Sequence, residues 1–184
     1  MLRPAYPILT KRLLLRPLRA DDADALYVYR SREDVCRFLL HPPQTREQVA
    51  MRVENSRSEL TDEGQVLSLA VVERETGTLV GDVVLIWHSR EHRSGEIGYV
   101  LDPEYAGNGY ATEAGAALLR LGFDELGLHR IVGRLDARNR ASARVLEKLG
   151  LRREAHFVEN EFIKGEWTDE LIYAALASEW HDPT

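Results

Sequence analysis

The 184-residue chain has a single cysteine, Cys36, so no intrachain disulfide can form and no cysteine-based zinc site has its ligands. Long hydrophobic runs are also missing. The opening stretch "MLRPAYPILTKRLLLRPL" holds basic residues, but its longest apolar run is Leu13 to Leu15. That is far short of a signal peptide's core or of the about 20 apolar residues a membrane helix needs. No membrane partner is expected, and a reduced, cytoplasmic setting is. Excess positive charge is absent too. With 24 Lys and Arg against 30 Asp and Glu, the formal charge of -6 speaks against a nucleic-acid partner, whose binding needs basic side chains to neutralise phosphates. Acidity suits a cationic substrate, although ordinary solubility is the simpler account of it. No metal site is expected. No repeat, low-complexity tract or linker divides the chain, so residues 1–184 read as a single domain, long enough to bury about two thirds of its unfolded surface.

What the chain does have is an ordered series of periodic segments. "RLLLRPL" (Arg12 to Leu18) reads as a short strand, and acidic and small residues then lead into a helix entered at Asp21 or Asp22. A second helix is predicted from Thr45 to Leu60, because Thr45 and Gln48 make a capping box and Pro42 and Pro43 break the chain before it. The runs "QVLSLAVVERE", "TLVGDVVLIWHS" and "SGEIGYVLD" follow, with connections short enough for an antiparallel meander. Then come a helix from Gly109 to about Glu125, the strand "HRIVGRLD", the helix "RASARVLEKLG" ending at Gly150, and two final strands. This order predicts an α/β protein of the α+β kind, with a mixed central sheet of about seven strands and about four helices.

In "PEYAGNGYATEAG", Gly107 and Gly109 stand one residue apart where an alanine-rich helix begins. Ser, Thr, Asp or Asn caps a helix better than most residues, and glycine in or beside a helix costs about 0.5–1 kcal/mol relative to alanine. The first N–H groups of a helix lack intrahelical partners and carry the positive end of its dipole, so they bind anions. Without Cβ atoms at Gly107 and Gly109, a pyrophosphate can rest against the main chain, with Tyr110, Ala111 and Thr112 offering further N–H groups. A tight turn packed on a neighbour is the alternative. The dinucleotide fingerprint G-x-G-x-x-G fails here, because Thr112 stands at the third glycine.

Taken together, "EIGYVLDPEYAGNGYATEA" and "DARNRASARVLEKLGL" resemble the GNAT superfamily of acyl-CoA-dependent N-acetyltransferases, and within it the ribosomal-protein-alanine acetyltransferase branch. The resemblance runs from "LLLRPL" to the closing strand pair. It implies acetyl-CoA as cosubstrate and the GNAT fold. The family's phosphate motif falls on Ala106, Gly107, Asn108, Gly109, Tyr110 and Ala111, and Ala106 replaces its usual Gln or Arg. Arg144 and Lys148, one helical turn apart, are candidate substitutes, with solvated surface charge as the alternative. By the same resemblance Glu96 is the catalytic glutamate, the main-chain N–H of Val100 meets the acetyl oxygen, and Leu101 and Asn139 hold the cofactor arm. Many members carry a tyrosine, as acid for the leaving thiolate, where this chain has Leu146; Ser142 is implied to stabilise the sulfur instead. From the residues alone, Asn139 is a helix cap with Ser142 in the first turn. Strand alternation puts Glu96, Gly98 and Val100 on one face and Ile97, Tyr99 and Leu101 on the other.

Three functions follow as expectations. The first is direct acetyl transfer, in a ternary complex, to a protein N-terminal α-amine. At neutral pH about a tenth of such amines are unprotonated, against fewer than about one in a thousand lysine side chains, so a weak carboxylate base suits them. The second acceptor class is a small amine, a polyamine or an aminoglycoside. The third reading is a non-catalytic acyl-CoA-binding regulator, which needs neither Glu96 nor Ser142. Glu154, Glu159, Glu161, Glu166, Asp169 and Glu170 make the closing region acidic, either as a platform for a basic acceptor or as a solvated hairpin. Trp87, Trp167 and Trp180 shape the groove or fill the core. The last strand, "LIYAALA", is either core or the edge of a homodimer, leaving monomer or homodimer open.

Overall fold

A computed structural model describes residues 1–183. In chain order the elements are β1 (Ile8–Leu9), β2 (Leu13–Pro17), α1 (Ala23–Arg30), α2 (Glu33–Cys36), α3 (Arg46–Glu54), β3 (Val66–Glu73), β4 (Leu79–Ser89), β5 (Ser94–Leu101), α4 (Tyr110–Arg120), β6 (Arg130–Asp136), α5 (Arg140–Lys148), β7 (Arg152–Ile163) and β8 (Glu166–Leu176). The eight strands form one mixed sheet in the order β1-β2-β3-β4-β5-β6-β8-β7. The expected meander is present, since β3, β4 and β5 pair antiparallel. β5 and β6 run parallel, because the crossover through α4 brings the chain back in the same direction.

Three boundaries differ from the sequence expectation. β1 adds a two-residue strand to the predicted seven, and α2 adds a single helical turn. α3 stops at Glu54: the Asn55 carboxamide donates to the Met51 carbonyl at 2.8 Å, and Leu60 is held instead by paired backbone bonds to Leu2. β8 is not an edge. It pairs with β6 on one side and β7 on the other, so "LIYAALA" offers no strand for a dimer.

Side-chain alternation divides the sheet into two packed faces. Leu67, Leu69, Val83, Leu85 and Ile97 meet the α4 side chains of Ala114 and Leu118 on one face. Ala70 and Val72 meet Leu26, Val49 and Val53 from α1 and α3 on the other. Gly115 lets α5 approach α4, since a Cβ there would stand 2.7 Å from Leu149 Cδ1. Trp87 and Trp180 are largely buried, Trp180 stacking near Phe123, whereas Trp167 is exposed beside Phe162.

The parallel pairing stops early. Only Ser94, Gly95 and Glu96 pair with Arg130, Ile131 and Val132, although β5 continues to Leu101 and β6 to Asp136. The sheet is therefore split beyond Glu96.

Candidate active site

The split holds a cavity of about 260 Å³ that passes through the sheet. Gly98, Val84 and Arg134 line it from the α1 and α3 face, and Tyr99, Asn139, Ser142 and Leu146 from the α4 and α5 face. On the latter side it shares Tyr99, Val100, Asn139 and Ser142 with a cavity of about 480 Å³ that reaches Gly107 and Gly109. On the opposite side it shares His41, Arg52 and Val84 with an open groove of about 850 Å³.

The paired glycines have a conformational cause. Gly107 and Gly109 adopt φ of 83° and 81°, the left-handed region that costs other residues strain, and Gly109 is the N-cap of α4. A Cβ at Gly107 would meet nothing within 4 Å, so the loop presents bare main chain to the cavity. Arg12 anchors it from beneath: Nη1 donates to the Asn108 carbonyl at 2.8 Å, and Nε pairs with Glu113 at 2.8 Å. Glu113 also accepts from Thr10 Oγ1 at 2.6 Å and Arg12 N at 2.7 Å. Burial raises its pKa, but these bonds outweigh burial and hold the carboxyl below the usual range. Sequence reasoning missed this anchor; the available signal was a glutamate on a helix face otherwise filled by alanine and leucine.

Arg144 and Lys148 are exposed and line the same cavity as the glycines. Neither is in an ion pair among the described residues, so two cations stand beside the glycine turn, positioned either to replace the side chain absent at Ala106 or as solvated surface charge. Free helix-terminal N–H groups, two unpaired cations and the apolar wall of Val35, Leu39 and Val145 together fit the pyrophosphate and pantetheine of an acyl-CoA. Replacing both cations by alanine is expected to raise KM for acetyl-CoA about three- to tenfold, the effect of two exposed charge contacts, with kcat unchanged. Steady-state kinetics at varied acetyl-CoA checks this, and an unchanged KM would leave the pyrophosphate to backbone groups alone.

The ladder corrects one expectation. Asp102 N donates to the Val80 carbonyl at 2.9 Å, which fixes the even-numbered residues of β5 as those bonded to β4. Val100 therefore exchanges its main-chain bonds with Asp82, its partner in register. The N–H groups turned toward the split belong to Tyr99 and Leu101, and Val100 lines the cavity with its N–H committed to the β4 ladder.

Tyr99 also closes the gap left by Leu146. Leu146 is buried against Gly133, where a Cβ would come within 2.6 Å of Leu146 Cδ2, so no hydroxyl projects from that position. The Tyr99 phenol instead donates to the Ser142 carbonyl at 3.0 Å and lies 2.9 Å from Ser142 Oγ. Burial pushes this phenol well above its ordinary pKa, so it keeps its proton. Asn139 Oδ1 accepts from Ser142 N at 3.1 Å, the helix cap expected from sequence. Glu96 sits on the last paired rung, on the opposite face of the sheet from Ser142, and its carboxylate is 2.9 Å from His88 Nε2.

A second polar cluster lies under the gap and was not expected. Asp82 is fully buried, and Arg30 grips it from Nε at 3.0 Å and Nη2 at 2.5 Å. Tyr29 Oη donates to it at 2.7 Å and Arg52 Nη2 at 3.2 Å. The acidic closing hairpin, by contrast, is largely neutralised. Glu154 pairs with Arg130 and Arg152, Glu166 with Arg138, Asp169 with His156, and Glu161 and Glu170 with Arg134. None of these carboxylates lines the gap or the groove, so the hairpin is no free anionic platform.

A split sheet with an anion cradle on one face and an open groove on the other defines a transferase that joins an acyl-CoA to an acceptor through the gap. The chain belongs to the GNAT acetyltransferases: residues 12–152 match the model described as the Acetyltransferase (GNAT) domain. Similar proteins include the uncharacterized N-acetyltransferase YnaD of Bacillus subtilis (strain 168), 36% identical over 174 residues that make up 95% of this chain and 99% of the relative. A GNAT-family acetyltransferase structure from Bacillus anthracis superposes with a TM-score of 0.85 at 35% identity, covering 94% of this chain and 99% of that one. A spermidine N(1)-acetyltransferase of Vibrio cholerae serotype O1 is 34% identical over 99 residues, 54% of this chain and 57% of that protein. The protein is thus an acetyl-CoA-dependent N-acetyltransferase, and the reading as a non-catalytic regulator is set aside. No helix among the described residues is long and apolar enough to cross a membrane.

Proposed function

We propose that the enzyme acetylates the α-amine of a protein or peptide amino terminus by direct attack in a ternary complex, as in the ribosomal-protein-alanine branch it resembles. The observation that carries direct attack is the split between β5 and β6, a passage reached from both faces of one sheet. The choice of an α-amine is supported by the resemblance and by the match of a weak carboxylate base to amines partly unprotonated at neutral pH. Direct attack needs no protein nucleophile. Cys36 is buried outside the gap, and burial pushes its thiol pKa up.

Acetyl-CoA supplies the thioester. The N–H groups from Gly107 to Thr112 hold its pyrophosphate, assisted by Arg144 and Lys148, while Asn139 and the main chain of Leu101 align its arm. Tyr99 N–H donates to the acetyl oxygen as charge gathers there. Ser142 Oγ donates to the sulfur, and Tyr99 Oη positions Ser142. One phenolic proton has two Ser142 oxygens in reach, so it can move to Oγ when Ser142 turns its own proton outward. Glu96 accepts the amine's proton through water, since one two-residue strand repeat, about 6.6 Å, separates it from Gly98 at the gap. His88 holds its carboxylate in place.

A small amine is the second reading, favoured by the partial match to a spermidine acetyltransferase. Thiol release from acetyl-CoA, followed with an alanine- or serine-initiated peptide, spermidine and an aminoglycoside in parallel, separates the two. Release with the peptide is expected, with an acetyl mass gain on its α-amine. Release with spermidine or the aminoglycoside alone would overturn the α-amine reading.

A further inference from the structure

We infer that the acceptor is an acidic amino-terminal peptide, with carboxylates close behind its amine, and that Arg52 and Arg57 recognise them; this rests on the α-amine reading above. The groove on the α1 and α3 face, which leads into the gap, has no carboxylate among its lining residues. Two arginines line it. Arg57 is exposed, and its guanidinium has no hydrogen bond or ion pair among the described residues. Arg52 lines both the groove and the gap, and its Nε is buried with no partner. Arg52 Nη2 pairs with Asp82 at 3.2 Å, but that single carboxylate is shared with the two-nitrogen grip of fully buried Arg30, so two guanidinium charges face one carboxylate. Arg30, Arg52 and Asp82 therefore sum to one net positive charge at the groove end of the gap, while Glu96, one strand repeat from Gly98 and outside the groove lining, is the carboxylate left to meet the amine.

The amide side chains add donors of the same sense. Gln48 Oε1 accepts from Thr45 N at 2.9 Å, and Gln65 Oε1 accepts from Thr61 N at 2.8 Å. A backbone N–H can only donate, so both amide oxygens are committed and the NH2 groups are left over. Guanidinium and amide donors without a competing carboxylate match a carboxylate ligand, and charge-assisted bonds of this kind are about twice as strong as neutral ones. A polyamine entering here would meet like charge instead. The groove is also far larger than the gap, about 850 Å³ against 260 Å³, which suits a chain running outward from the reacting amine.

The test is calorimetric binding of three peptides to the CoA-loaded protein: one with Asp and Glu following an N-terminal alanine, its Asn and Gln twin, and a Lys counterpart. The acidic peptide is expected to bind about tenfold more tightly than the neutral twin, equivalent to about 1.4 kcal/mol, and to lose most of that advantage at high salt. Arg57→Gln, at an exposed side chain, should leave the melting temperature unchanged and remove most of the preference. Equal or tighter binding of the neutral or basic peptide, or a preference that survives in Arg57→Gln, would overturn the inference. Free glutamate binding as tightly as the peptide would overturn its peptide part. Mass spectrometry with acetyl-CoA separates the two readings. Acetylation of all three α-amines without charge preference removes only the anion site, whereas a charge preference in binding without α-amine acetylation removes only the α-amine reading.

Discussion

Replacing Asp82 by alanine is expected to cost about 3–5 kcal/mol of stability, because it strands a buried guanidinium. Arg30 is 2% exposed and directs both Nε and Nη2 at Asp82, so the variant leaves a charge with neither water nor counter-ion. Tyr29 Oη loses its acceptor as well. For a domain of this size each kcal/mol shifts Tm by about 2–4 °C, which gives a fall of roughly 6–20 °C. Acid should act in the same direction. Burial raises the Asp82 pKa, but the charges of Arg30 and Arg52 outweigh it and hold the carboxyl below the ordinary range. A depressed carboxylate contributes stability above its unfolded pKa of about 3.9, and that contribution is lost as pH falls through the lower folded value. Denaturant unfolding of both proteins at neutral and acid pH checks this. A neutral-pH loss below about 1 kcal/mol, ordinary for a surface change, would contradict it.

The largest catalytic effect is expected at Glu96. Glu96→Gln keeps size and a polar contact with His88 but removes the proton acceptor, so kcat should fall about 100-fold, the lower range for general-base catalysis. Acetyl-CoA binding should not change, because Glu96 lies on the opposite face of the sheet from the glycine cradle. The deficit should also shrink as pH rises past about 8, where an α-amine loses its proton unaided. Rate and cofactor affinity measured across that pH range decide the matter. A variant with wild-type turnover at every pH removes Glu96 from the mechanism.

Legibility from sequence varied with the range of the interaction. The Thr45–Gln48 capping box and the Asn139 cap were readable because each bond spans three residues. The meander was readable because its turns are short and its strands apolar. The Arg12–Glu113 anchor and the Arg30–Asp82 grip were not, because they join residues 101 and 52 positions apart. Tyr99 was assigned to the right face, yet its meeting with Ser142 depends on how α5 seats against β5.

Composition and local pattern by themselves determined a disulfide-free α+β chain, its element order, and a glycine turn opening onto the start of a helix. Those properties depend on residue type and near-neighbour geometry. Tertiary structure alone decided that the sheet splits after Glu96, and that the Val100 N–H belongs to the β4 ladder while those of Tyr99 and Leu101 face the gap. It also decided that most of the closing carboxylates are paired with basic side chains and that the groove on the α1 and α3 face is lined by arginines and no carboxylate in an acidic protein. Each of these depends on which strand lies beside which and in what register, and hydrogen-bond parity and charge pairing exist only once that register is set.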